Sequence, residues 1–137
     1  MPEEREWLAL DKFGEKIVKK FKDEPLFWFD RICAGEVSSD ADLARYAILK
    51  KMPPETREFI RDCVSFAIIQ GIHDFLCGLN EFGDELGLTV DGVDLLYASP
   101  DINGEIFGED GWDARFSDYP TDEALTEKYE ALHDKRR

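Results

Sequence analysis

Cysteine is scarce: Cys33, Cys63 and Cys77 are all the chain has, an odd number with no CxxC pair among 137 residues. Small secreted domains carry an even disulfide framework, so a reduced, cytoplasmic setting is expected. Long uninterrupted apolar runs are also missing. The most apolar stretch, 63–79, is broken by Gln70, His73 and Asp74, and reads as a buried helix rather than a membrane span. The opening Met1-Pro2-Glu3-Glu4-Arg5-Glu6 is charged where a signal peptide needs apolar residues. No GxxxxGK[ST], GxGxxG, GxSxG or HExxH occurs, so no enzyme class finds support and none is expected. Basic residues are the last shortage, with 17 Lys and Arg against 31 Asp and Glu and a net charge of -14. Phosphate backbones are held by Lys and Arg, so direct nucleic-acid binding is not expected. Docking on an anionic membrane is disfavoured for the same reason.

Hydrophobic residues supply 43% and aromatics 12% of the chain, enough for a core and too much for a disordered tail. The length suits one domain, 1–137. Trp7, Leu10, Phe13 or Gly14, Ile17 and Phe21 recur at helical steps and predict a first helix over 3–22. Asp23 offers a cap to a second helix with Pro25 in its first turn and Gly35 past its end. Ser39 and Asp42 resemble a capping box that starts a third helix toward Lys51, with Leu43, Tyr46, Ala47 and Lys50 on one face. Pro53 and Pro54 stop it, and Pro54 opens the longest helix, about 55–82. That helix is apolar on nearly all sides from Cys63 on, which predicts a central, buried position. Gly71 and Gly78 share a face that would permit close backbone approach.

Beyond Gly83, Leu86, Leu88 and Val90 alternate, Asp91-Gly92 supplies a turn, and Val93, Leu95 and Tyr97 alternate again, a hairpin signal. Trp112, Ala114 and Phe116 suggest a third strand. Pro120 and Thr121 open a last helix that ends in Lys135, Arg136 and Arg137, as the helix dipole prefers. The expected fold is α+β and mainly helical. About five helices surround a long central buried one, with a small antiparallel hairpin or three-stranded element in the C-terminal half. The parts are a helical body over 3–82, an acidic β element over 86–119 and a final helix over 121–135.

Charge is uneven along the chain. Residues 81–127 hold 14 acids and one base, Arg115. Asp101, Glu105, Glu109, Asp110, Asp113 and Asp118 fall close together, interleaved with Phe107 and Trp112. A one-sign surface speeds encounter with an opposite one, and aromatics supply burial that charges cannot. Asp101, Glu105, Phe107, Glu109, Asp110, Trp112, Asp113 and Asp118 are therefore the expected partner-binding residues.

Metal and cofactor sites are weaker candidates, and none is expected. The 101–110 loop partly matches a calcium loop with Gly104 at the sixth position, but Ser99 and Asp110 stand where Asp and a bidentate Glu belong. His73 and Cys77 are four apart on the long helix, too few ligands for zinc. His73 is expected to make a core hydrogen bond, and Cys77 to be embedded in the core.

His73-Asp74-Phe75-Leu76 and the stretch Gly104-Glu105-Ile106-Phe107-Gly108-Glu109-Asp110-Gly111-Trp112-Asp113-Ala114-Arg115-Phe116-Ser117-Asp118-Tyr119 carry a resemblance over the C-terminal half. They are similar to segments of small acidic bacterial proteins, some of which resemble immunity proteins that neutralise toxins. The resemblance implies a bacterial cytosolic protein whose task is binding.

Charge and resemblance together lead to a non-enzymatic, immunity-type inhibitor that covers a basic surface, such as a nuclease toxin's cleft. Removal of Asp110, Asp113 and Asp118 together is expected to slow association without unfolding the chain. The alternatives are a nucleic-acid mimic that blocks a DNA-binding enzyme, a small carboxylate-dependent enzyme, and an obligate homodimer formed through Trp28 and Phe29.

Overall fold

The computed structural model describes residues 2–135. Helix α1 spans Glu4–Val18 and opens on a capping box between Glu3 and Glu6, the reciprocal pairing that satisfies otherwise orphaned amide groups. It does not stop at Asp23. A π-helical turn, Lys19–Asp23, carries it straight into α2, Glu24–Ala34. Asp23 is helical and caps nothing, so the expected break is corrected to one continuous rod.

The π turn has a tertiary cause. Its extra residue brings two consecutive charged side chains, Lys22 and Asp23, to the buried side. Both clamp the C-terminal segment. Lys22 Nζ donates to Asp113 Oδ1 and to the Pro120 carbonyl. Asp23 accepts from the Ser117 hydroxyl at 2.6 Å and from the Asp118 amide at 2.9 Å.

After Gly35, α3 covers Asp40–Leu49 with Ser39 Oγ accepting from the Asp42 amide, as the capping signal predicts. Of the expected face only Tyr46 turns inward. Leu43, Ala47 and Lys50 are exposed, while Asp42, Tyr46 and Leu49 turn inward. Asp42 accepts from the Trp28 indole N–H at 3.1 Å and pairs with Arg45 at 2.8 Å, which ties α3 to α2.

Helix α4 runs Pro54–Glu81 with Pro at its first position. Its length and composition would suffice to cross a membrane, yet only a third of its apolar window is buried within the fold. The expected burial on all sides is therefore corrected. Ser65, Ile69, Ile72, Leu76 and Leu79 are covered, whereas Phe59, Phe66 and Phe75 are open. Nor, among the described residues, does anything approach Gly71 or Gly78, where an added Cβ would meet open space.

The β element is smaller than the alternation suggests. Strands β1 (Thr89–Val90) and β2 (Val93–Asp94) pair antiparallel across Asp91-Gly92. Asp94 then caps a short helix, α5 (Leu95–Ala98), by accepting from the Leu96 and Tyr97 amides. A 3-10 turn follows at Ile102–Ile106. The predicted third strand is helical instead: α6, Trp112–Phe116. Mainly helical α+β therefore holds, with a two-stranded sheet and two short helices added to those expected.

The core sits between α1 and α4, and the segment from Val93 to Trp112 plugs it. Leu10, Leu76, Leu95, Ile102, Ile106 and Trp112 have no exposed surface. Trp112 stacks on Phe13 with centroids 5.8 Å apart and lies over Gly14, where any side-chain carbon would enter the indole. The outer members of the α1 stripe, Trp7 and Phe21, are exposed.

Helix α7 (Asp122–Lys135) lies on α4. Asp62, buried on α4, accepts from Lys128 Nζ at 2.8 Å and the Tyr129 hydroxyl at 2.6 Å. Tyr129 meets Phe59 edge-on at 5.4 Å. The expected basic end at Arg136 and Arg137 lies outside the described residues.

Candidate functional site

Four of the expected acidic and aromatic residues come together. The 3-10 turn is anchored by Ile102 and Ile106 against α4, which fixes where the next residues emerge. The loop Phe107–Gly111 folds tightly, with no room for a Cβ at Gly111 against the Ile106 and Phe107 carbonyls. Glu105, Phe107, Glu109 and Asp110 thus line a hollow of about 540 Å³ whose other wall is Trp7, Asp11 and Arg115. Four carboxylates face one guanidinium. Arg115 donates to Asp11 at 2.6 and 3.2 Å. That hydrogen-bonded pairing holds its pKa above the usual value, although burial opposes it. Glu105 is steadied by the Ser99 hydroxyl at 3.0 Å.

Asp101 is exposed at the start of the 3-10 turn, outside this lining. Asp118 is exposed too, but faces another hollow, with Lys19, Asp23, Glu24, Phe27 and Tyr119. Trp112 and Asp113 are corrections: at 0% and 1% exposure they offer nothing to a partner. Trp112 fills the core and Asp113 neutralises Lys22, so removing Asp113 would attack the fold, contrary to the expectation from sequence. The opening helix also draws off Asp91, paired with Lys12 at 2.8 Å.

Trp7 and Asp11 were missed as site residues. Trp7 fits the apolar stripe by spacing, and nothing local in the sequence distinguishes the stripe's wet edge from its buried centre. Of the aromatic pair proposed for self-association, Trp28 is 47% exposed with its N–H held by Asp42, and Phe29 is half-buried.

His73 and Cys77 are both half-buried rather than in the core. The imidazole lies 3.2 Å from Asp74 Oδ1, 3.5 Å from Asn103 Nδ2 and 3.7 Å from Cys77 Sγ. Its ring also packs on Phe107, at 5.8 Å between centroids. The histidine thus braces the loop that carries the hollow. Among the described residues, no three His, Cys, Asp or Glu side chains gather as a metal site would need.

Carboxyls around the buried Asp113 respond to it. Burial, then the charge of Asp113, raises the pKa of both Asp122 and Glu123. Tyr119, whose hydroxyl donates to Asp30 at 3.1 Å, is pushed up to about 12 by burial and then by the Asp30 charge. A raised folded value means the stabilisation is complete below the unfolded value near 10 and is lost as pH climbs through 12. Burial and Asp62 raise Tyr129 as well, so phenolate absorbance followed against pH should show a late step to which both tyrosines contribute, and Tyr119→Phe should shrink it by one tyrosine equivalent. An undiminished step in the variant would assign it elsewhere.

No family model, curated protein or solved structure matches this chain.

Proposed function

We propose that the chain is a non-enzymatic binding protein, an immunity-type inhibitor that covers a basic surface of a partner such as a nuclease toxin. The observation that carries this reading is the convergence of Asp11, Glu105, Glu109 and Asp110 around Trp7 and Phe107. A concentrated negative field accelerates encounter with a positive cleft by about 10–1000-fold at low salt. The half-open Trp7 and Phe107 rings, each 37% exposed, are then available for the burial that makes an interface hold. The loop is also pre-organised, because Ile106, Phe107 and the glycine at 111 fix it before any partner arrives, and less ordering cost falls on binding.

Capture from the source cell's lysate at low and high salt tests the reading. A basic protein should be retained at low salt and released at high salt, and the exposed pair Glu109→Lys with Asp110→Lys should abolish its retention. Exposed substitutions shift stability by only about 0.5 kcal/mol, so the melting curve should barely move. Equal retention by the variant would sink the proposal. If the retained protein binds duplex DNA without cleaving it, the same face acts as a nucleic-acid mimic.

A further inference from the structure

A second surface has the opposite character. Between α1 and α4 runs an open groove of about 880 Å³, closed at one side by β1. Phe13, Ile17, Ile68 and Ile72 floor it, and the exposed Phe21 and Phe75 stand at its lips. Lys12, Lys16 and Lys20 belong to the same lining. At steps of four they form one row that runs along α1 and into the start of the π turn, Lys12 and Lys16 on the helix and Lys20 on the turn. All three are exposed. Lys12 and Lys20 each hold one carboxylate, Asp91 and Glu24, and an ammonium has three donors. A basic row beside an apolar trough is conspicuous in a chain of net charge -14.

We infer that this groove docks an acidic amphipathic helix of a partner protein. The pattern of charge selects that occupant. A single-headed amphiphile needs a cation at one end of the trough, whereas here three ammonium groups are spread along its length. Two of them are shared with the exposed carboxylates of Asp91 and Glu24, contacts weak enough to be exchanged. A second copy entering by the same face would bring two rows of lysines together, only partly offset by Asp91 and Glu24, and like charges oppose association. A helix laid parallel to α1 answers both features. Its apolar stripe fills the trough, and carboxylates spaced four apart meet the lysines one by one. Among the described residues nothing lies within reach of a Cβ at Gly71, which leaves the α4 wall low enough for such a helix to settle.

Two synthetic helical peptides sharing one leucine face, one flanked by glutamates at four-residue spacing and the other by lysines, provide the test. Fluorescence anisotropy at low salt should show the glutamate peptide binding at least about tenfold more tightly. The triple variant Lys12→Glu, Lys16→Glu, Lys20→Glu should reverse that order, and Phe75→Asp should weaken the glutamate peptide by about tenfold or more. Both variants should melt cooperatively near the wild-type midpoint, since the substituted positions are exposed. Equal affinity for the two peptides, or no binding of the glutamate peptide below about 1 mM, overturns the proposal. So does a long-chain fatty acid that occupies the groove while neither peptide binds. Self-association by sedimentation that Phe75→Asp abolishes also overturns it, because the groove would then be a contact between copies.

Discussion

Lys22→Met is expected to destabilise the fold by about 3–5 kcal/mol, the cost of leaving a buried charge without its partner. The ammonium of Lys22 and the carboxylate of Asp113 both have 0% exposed side-chain surface. Asp113 also accepts from the Asp122 amide at 3.0 Å, and Lys22 donates to the Pro120 carbonyl at 3.1 Å. The pair therefore holds the start of α7 as well as the middle of the first rod. For a domain stable by about 5–15 kcal/mol, such a loss is a large share, and the thermal midpoint should fall by roughly 10–20 °C. Asp113→Asn keeps the shape but leaves Lys22 charged, so it should cost a similar amount. Combining Lys22→Met with Asp113→Leu should cost clearly less than the sum of those same two substitutions made singly, because no orphan charge remains. Additive losses in denaturant melts would mean that the two side chains do not act as a pair.

The second large effect lies at the Trp112–Gly14 contact. Burying a tryptophan removes about 150–250 Å² from water, worth roughly 4–6 kcal/mol at 25 cal/mol per Å². Trp112→Ala should cost about 3–5 kcal/mol. Gly14→Ala should also destabilise, by about 1–3 kcal/mol, since its methyl would collide with the indole. In the Trp112→Ala background the sign should change. The collision is gone, the methyl fills part of the cavity, and alanine is the better helix former by about 1 kcal/mol. A Gly14→Ala that still destabilises without the indole would contradict the packing described.

These two contacts also explain how much of the molecule was legible in the sequence. Local signals worked where local chemistry decides: Ser39 caps α3, Pro54 opens α4, Asp91-Gly92 turns the hairpin, and Pro120 precedes α7. They failed where a distant partner decides. By local logic Asp23 is a cap, yet Ser117 and Asp118, more than ninety residues on, claim its carboxylate. The alternation Trp112, Ala114, Phe116 reads as a strand over five residues, a span too short to separate a period of 2 from one of 3.6. The acids of the C-terminal half were visible as composition, but composition does not say which of them meet. Asp113 went inside because Lys22 did, whereas Glu105, Glu109 and Asp110 gathered because a tight loop faces Trp7 and Asp11.

The most direct measurement is the association rate with the captured basic partner, followed against ionic strength for the wild-type chain and for Glu109→Gln with Asp110→Gln. If the acidic hollow steers the encounter, the wild-type rate falls steeply once the screening length drops below about 10 Å, and the neutralised pair associates more slowly with a flatter slope. A rate indifferent to salt, or the same slope in both proteins, would mean that the partner is met by some other surface.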